Sequence, residues 1–230
     1  MRQRHVVVLS GAGISAESGL GTFRGAGGLW EGVPVKEVAT PEAWEKDPLR
    51  VLRFYNERRK GVLKAQPNEA HTALKELEDI FNVTIITQNI DDLHERAGNT
   101  RVLHLHGEIL KSRSSLDDSL LYPCRRDIKI GELCERGSQL RPHVVWFGES
   151  VPMMDEAIEV AKSADFFIVV GTSLEVYPAA SLIEYVPYES LKFFVDPHPN
   201  GLTDESFRVI KAPASEGVPL VVRQLRELMA

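Results

Sequence analysis

Five short, almost wholly apolar runs constrain what this chain can fold into: residues 6–9, 83–86, 102–105, 166–170 and 193–195. Parallel strands covered on both faces read as unbroken hydrophobic runs, without the alternation of a strand that meets water. Helical patterns separate several of them. Between 69 and 81, Leu74, Leu77, Ile80 and Phe81 fall on one stripe. Asp155 is placed to cap a helix carrying Ile158 and Ala161 toward Ser163, and 218–229 carries Val221, Val222, Leu225, Leu228 and Met229. Strands alternating with helices predict an α/β fold with a Rossmann-like, doubly wound parallel sheet.

Two stretches break the alternation. Residues 31–80 read as mainly helical and charged, and 111–140 as polar, irregular and turn-rich. Both leave the sheet and return to it. The expectation is a second, smaller domain formed by these two insertions, with the sheet built from about 1–30, 81–110 and 141–230. The 230 residues, 43% of them hydrophobic, suffice for one sizeable core. A formal net charge of -6 provides no basic field to recruit nucleic acid or an anionic membrane. The first apolar run is too short for a signal peptide, and none approaches a membrane span. Two cysteines, Cys124 and Cys134, argue against a disulfide framework. Together these predict a soluble, cytoplasmic protein.

The chemistry gathers where strands end. The run at 83–86 leads into Thr87-Gln88-Asn89-Ile90-Asp91-Asp92, and a second strand reads Leu103-His104-Leu105-His106-Gly107. Polar side chains at the carboxyl ends of parallel strands are where open α/β sheets place their sites. After the first strand, Gly11, Gly13 and Ala16 fit the spacing of a dinucleotide fingerprint, whose glycines let backbone N–H groups approach a pyrophosphate. The competing reading is a tight strand–helix turn. A histidine in a strand is ordinarily a satisfied core residue. Asn89 and Asp91 at a strand–helix turn are equally good helix caps. Gly171-Thr172-Ser173 suits a phosphate or ribose, or a plain turn.

Taken together, GAGIS at 11–15, TFR at 22–24, TQNIDDLH at 87–94, LHG at 105–107, VVWFGE at 144–149 and GTSLEVYPAA at 171–180 resemble, in order, the motifs of sirtuins. These are NAD-dependent protein-lysine deacylases, and the resemblance runs from about residue 6 to the C-terminus. It implies NAD as cofactor and acyl-lysine proteins or peptides as partners, with no nucleic acid and no membrane. It implies that His106 is the general base that deprotonates a ribose hydroxyl, a role suited to a group titrating near 6.5. The acyl group then passes to ADP-ribose, releasing nicotinamide and O-acyl-ADP-ribose. By the same resemblance Gln88 holds the nicotinamide ribose, Asn89 and Asp91 are catalytic alongside His106, orienting the nicotinamide end and nearby water, and Ile90 lies with them at the cofactor. Gly11, Ala12, Gly13, Ser15, Thr22, Phe23, Arg24, Trp30, Gly171, Thr172 and Ser173 are expected around the rest of the cofactor. Asp196 is expected at a ribose, where sirtuins usually carry Asn, and Ala214 near the adenine. His104 and His94 are read as structural. Two other readings remain: a mono-ADP-ribosyltransferase on the same fold, or a non-catalytic NAD-sensing binding protein.

Tyr55 and Arg58, spaced i, i+3, share a helix face. The pair resembles the Tyr-x-x-Arg of desuccinylase and demalonylase-type (class III) bacterial sirtuins, where it reads an acyl carboxylate. Arg offers a planar fork and Tyr a further donor. A solvated surface helix is the alternative. Ala39 leaves room for a longer acyl chain. Val145, Phe147, Gly148, Glu149 and Val176 are expected against the peptide, laid in as an added strand. Most sirtuins hold a structural zinc with two Cys-x-x-Cys pairs, but here the first pair falls on Ser114 and Asp117, and Cys134 is followed by Gly137. The expectation is no zinc, with Cys124 and Cys134 packed together. Leu116, Leu120, Leu121, Ile128, Ile130 and Leu133 would supply a small core instead.

Overall fold

A computed structural model describes residues 3–24, 29–30, 32–199 and 205–229. In chain order the strands are β1 (His5–Ser10), β2 (Phe23–Arg24), β3 (Leu29–Trp30), β4 (Val33–Pro34), β5 (Asn82–Thr87), β6 (Val102–His104), β7 (Gly107–Ser114), β8 (Leu121–Pro123), β9 (Leu140–Val144), β10 (Phe166–Val170), β11 (Leu191–Val195) and β12 (Phe207–Ile210). The helices are α1 (Pro41–Lys46), α2 (Pro48–Lys64), α3 (Glu69–Leu77), α4 (Leu93–Arg96), α5 (Met154–Lys162) and α6 (Ala214–Glu227). Short 3-10 helices include Ala12–Ser18 and Ala179–Tyr185.

Six strands form one parallel sheet in the order β12-β11-β10-β1-β5-β6. The period-two geometry of β1 sorts its four apolar residues onto two faces. Val6 and Val8 pack with Leu74 and Leu77 of α3 and Val218, Val221 and Leu225 of α6. Val7 and Leu9 pack with Ala157 and Ala161 of α5 and Leu182. Burial on both sides is the physical reason the run is unbroken, so the doubly wound sheet read from the sequence is the one observed. The chain travels from β1 through β5 to β6 on one side, then returns through β10 to β12 on the other. Its direction reverses between β1 and β10, the kind of switch point where open sheets leave a crevice.

Several local expectations are corrected. The last helix starts at Ala214, not 218, and accommodates Pro219 with the loss of one backbone hydrogen bond. Asp155 is not a cap: Met153 holds that position, and Asp155 lies in the first turn, where its charge suits the helix dipole. The stretch 111–140 is less irregular than its polar sequence implies. It contributes to a three-stranded antiparallel sheet, β8-β7-β9. Residues 31–80 hold α1 to α3 as expected, after the small β2-β3-β4 sheet. A third apolar cluster joins Val51, Tyr55 and Val62 of α2 to Ile109, Val144 and Trp146. Among the described residues, no helix is long and apolar enough to cross a membrane.

Candidate active site

A cavity of about 750 Å3 opens along the carboxyl ends of the parallel strands. At its centre the turns after β1 and β10 are in backbone contact. Gly11 N–H donates to the Val170 carbonyl at 3.0 Å, and Gly13 N–H to the Gly171 carbonyl at 2.8 Å. Side chains are excluded here: a Cβ on Gly13 would lie 2.6 Å from the Gly171 Cα, and Gly171 itself has φ +63. The result is a close backbone junction, free of side chains, at the switch point where open α/β sheets bind dinucleotides.

Beyond β5 a chain of hydrogen bonds fixes the polar cluster. Asn89 Nδ2 donates to Ser15 Oγ at 3.1 Å, and Ser15 Oγ donates to Asp91 Oδ2 at 3.1 Å. Asp91 Oδ1 also accepts from Leu93 N–H, which ties this cavity-lining residue to the start of α4, whose N-cap is Asp92. Burial pushes the Asp91 carboxyl up, against those two bonds. Behind it, His94, Ser10 and Thr87 form a buried line ending on the Asn89 backbone N–H. Gln88 Nε2 donates to Thr172 Oγ1 at 3.2 Å, tying the end of β5 to the turn after β10.

His106 lies just past β6, two residues beyond the strand's end at His104. Its Nδ1 is 3.0 Å from the Gln88 carbonyl. A carbonyl only accepts, so Nδ1 carries the hydrogen and Nε2 of the neutral ring keeps its lone pair. Burial lowers the pKa, with the Gln88 carbonyl opposing, so the ring is neutral at physiological pH. His104 behaves oppositely. Burial alone would lower its pKa, but the Glu95 carboxylate at 2.6 Å outweighs it and raises the pKa. Its ring is engaged by Glu95 and the Asn89 carbonyl.

At one end of the cavity stand Tyr55, Arg58, Trp30, Ala39 and Val62. Tyr55 is 0% and Arg58 8% exposed, so α2 is not a solvated surface helix here. The Arg58 guanidinium lies 4.2 Å from the Trp30 ring centroid, a cation–π arrangement. The wall beside them is the loop at 146–149, held by Glu149. That carboxylate accepts from Arg141 Nη1 at 2.7 Å, from Arg113 Nη2 at 3.2 Å and from Trp146 N–H at 2.7 Å. Burial would raise the Glu149 carboxyl, but these partners keep it below the usual range.

The sequence profile of the Sir2 family matches residues 11–178. The chain belongs to the Sir2 (sirtuin) family. It is 55% identical over 194 residues, 84% of this chain and 85% of the relative, to an NAD-dependent protein deacylase of Helicobacter pylori. It is 48% identical over 233 residues, 98% of each, to an NAD-dependent protein deacylase of Bacteroides thetaiotaomicron. Among solved structures, a Sir2 homologue in complex with NAD superposes with a TM-score of 0.88 at 40% identity, covering 100% of this chain and 92% of the other. A Sir2–p53 peptide–NAD+ complex superposes at 0.80 and 31%, covering 99% and 94%.

Within this Sir2 fold the cavity gathers nearly every side chain named from sequence. Gly11, Ala12, Gly13, Ser15, Thr22, Gln88, Asn89, Ile90 and Asp91 line it, as do His106, Gly171, Thr172, Ser173, Asp196 and Ala214. So do Ala39, Val145, Phe147, Gly148, Glu149 and Val176. The side chains of Phe23 and Arg24 lie outside the described residues. Trp30, expected with the cofactor, lines the cavity too and packs beside Phe54, Tyr55 and Arg58. Glu149, expected against the peptide, has its carboxylate turned to Arg141 and Arg113. Trp146, Val62 and Glu17 line the cavity without having been singled out. Trp146 was legible in principle, since it lies inside VVWFGE; Glu17 carried no signal.

The residues at the family's zinc positions do not fit a metal. Ser114 Oγ and Ser138 Oγ are 2.6 Å apart, and Cys134 Sγ is 3.1 Å from Ser138 Oγ. Asp117 is paired with Arg136 and Ser119. The Ser138 hydroxyl lowers the Cys134 thiol to about 7. The apolar replacement core is a wrong expectation. Leu116, Leu121, Ile130 and Leu133 are exposed and Leu120 is half-buried; only Ile128 is buried, against Leu52 and Cys124. Cys134 stands outside that cluster, in the serine network. Hydrogen bonds and ion pairs hold this end together, so its leucines are free to face water.

Proposed function

We propose that the protein is an NAD-dependent protein-lysine deacylase that favours acyl groups ending in a carboxylate, such as succinyl and malonyl. One observation carries the reading: a single cavity joins the lone pair of His106 to the buried pair Tyr55 and Arg58. NAD, when bound, supplies a ribose carbon bearing a good leaving group, nicotinamide. Gly11, Gly13 and Gly171 let the two turns run close beside the pyrophosphate without side chains in the way, their own N–H groups being bonded to the Val170, Gly171 and Val195 carbonyls, and Gln88 and Thr172 offer polar groups to the adjoining ribose. His106 Nε2 accepts the proton of a ribose hydroxyl, while the Gln88 carbonyl keeps the ring's tautomer and orientation. Asn89, Ser15 and Asp91 hold the nicotinamide end rigid. Arg58 and the Tyr55 hydroxyl meet the acyl carboxylate in a water-poor pocket, where charge-assisted bonds are strong. The peptide backbone lies between the segments 146–149 and 174–177.

The reading includes a sheet unit and a smaller unit made from 31–80 and 111–140. The cluster of Leu52, Cys124 and Ile128, with Trp44 packed on it, supports this by joining α2 to the second insertion. The third cluster instead ties 31–80 to Leu20, Ile90, Leu93, Ile109, Val144 and Trp146 of the sheet unit. It also includes independence from zinc, supported by the serine and cysteine hydrogen bonds at 114, 134 and 138. NAD and acyl-lysine proteins meet in the cytoplasm, which is the proposed location. The deciding experiment compares acetyl, succinyl, malonyl and glutaryl versions of one peptide with NAD, reading nicotinamide and O-acyl-ADP-ribose. Preference for the acidic acyl groups is expected; equal or better use of acetyl would overturn it.

A further inference from the structure

We propose that Trp146 is a positioning residue for acyl selectivity: it dictates which way the Tyr55 hydroxyl donates. The inference rests on the acidic-acyl reading above and deepens it.

An indole N–H is a donor only. Trp146 Nε1 is 3.1 Å from the Tyr55 hydroxyl oxygen, so Tyr55 is the acceptor in that bond. The hydroxyl has one hydrogen of its own, which must point elsewhere. Among the described residues Tyr55 shows no second hydrogen-bond partner, and both Tyr55 and Arg58 line the cavity. The free direction is therefore toward the ligand. Burial pushes the phenol well above its ordinary range, so the hydrogen stays in place across physiological pH.

The indole cannot easily turn away. It is 2% exposed. The Arg141 guanidinium lies 3.2 Å from its ring centroid, and Trp44 packs 5.7 Å away on a tilted plane. Its backbone N–H is held by Glu149, and the next residue, Phe147, donates its N–H to the Ala39 carbonyl at 3.0 Å. A phenol with no enforced acceptor role could rotate and present a lone pair to an incoming carboxylate, which would repel it. With Trp146 occupying the oxygen, the pocket presents a donor beside the Arg58 cation. A neutral acetyl group makes no use of that donor. Selectivity thus depends on a cavity-wall residue that acts through the Tyr55 hydroxyl.

The test is a double-mutant cycle with Trp146→Phe and Tyr55→Phe, reading kcat and KM for succinyl and acetyl versions of one peptide. Trp146→Phe is expected to lower the succinyl-to-acetyl ratio of kcat/KM by about 3- to 10-fold, the worth of one hydrogen bond, mainly through the succinyl KM. In the Tyr55→Phe background the same change should leave that ratio where Tyr55→Phe alone put it. Equal losses on both substrates, or losses that multiply in the double variant, would overturn the inference. If Trp146→Phe does not fold, the indole N–H resonance of Trp146 in 15N-labelled protein serves instead. It should move on Tyr55→Phe and respond to a succinyl peptide more than to an acetyl one; an unmoved resonance overturns the inference. Tyr55→Phe and Arg58→Met losing both activities equally would remove the acidic-acyl reading itself. A selective loss in those two with none in Trp146→Phe would remove only the role of Trp146.

Discussion

The Nδ1 of His106 donates to the Gln88 carbonyl across 3.0 Å, joining the turn after β6 to the end of β5 and fixing one tautomer of the ring. Burial favours the neutral form, which is the form a general base needs. His106→Tyr is expected to lower turnover at least about 100-fold, the lower bound for a positioned base, while circular dichroism stays native. The acid limb of kcat/KM should fall below pH 6.5, because a base with a depressed pKa is lost to protonation only at lower pH. A limb centred above 6.5, or a variant retaining activity, would refute the assignment.

Arg58 sits in the cavity, 8% exposed and stacked on Trp30. A charge-assisted bond to an acyl carboxylate is worth roughly 1.5–3 kcal/mol. Arg58→Met is therefore expected to raise the succinyl-peptide KM by about 10- to 100-fold, with a much smaller change for acetyl. Steady-state kinetics on the paired peptides checks this, and parallel losses would sink it.

Much of the architecture was legible because burial on two faces leaves a signature in one dimension. The runs at 6–9 and 166–170 are apolar at every position since helices cover both sides of β1 and β10. The cavity residues were legible through short ordered motifs. What escaped was decided by long-range polar contacts. Glu149 reads from its motif as a peptide-facing residue, but its ion pairs with Arg113 and Arg141 depend on β7 and β9 bringing those residues to it. The leucines at 116, 121 and 133 look like core until Ser114, Cys134 and Ser138 take the interior between them.

The hydrogen-bonded trio of Ser114, Cys134 and Ser138 leaves no thiolate cage of the four-cysteine kind. Protein purified without chelator is expected to contain well below one zinc per chain, and excess EDTA should leave its melting temperature unchanged. Stoichiometric zinc by elemental analysis would contradict this.

His71 and His94 stack edge-on, 4.9 Å between centroids, and both are buried. Burial lowers His71 to about 4, and His94 in the same direction. Below pH 6.5 the unfolded chain binds a proton at His71 that the native state refuses, so acid favours unfolding. The stabilisation is complete above 6.5 and lost as pH falls toward 4, with His71 contributing about 3 kcal/mol at most. His104 works the other way: its raised pKa contributes most below 6.5 and loses that contribution as pH rises. Urea denaturation from pH 7 to pH 4.5 should therefore show falling stability, with a shallower slope in His71→Gln. An unchanged slope in that variant would exclude His71 as the cause.

The strand order sets His106, after β6, and Asp196, after β11, at opposite ends of the sheet's carboxyl edge, four strand steps or on the order of 19 Å apart. The glycine junction lies between them, so a dinucleotide with its reacting ribose at His106 brings its other ribose toward Asp196. That end of the cavity carries Asp196 and Glu17, and Glu17 is anchored to Ser215 by two hydrogen bonds. Among the described residues lining the cavity, the guanidinium is that of Arg58, at the Tyr55 end. A carboxylate accepts the ribose 2′-hydroxyl of NAD well but repels a phosphate in its place. With the same acyl peptide, NADP is expected to support kcat/KM at least about 10-fold below NAD, a gap of about 1.4 kcal/mol. Asp196→Asn removes the charge while keeping the shape, so it should narrow that gap more than it weakens NAD. Equal use of NAD and NADP by the unaltered protein, or an unchanged ratio in Asp196→Asn, would show that this carboxylate does not read the ribose.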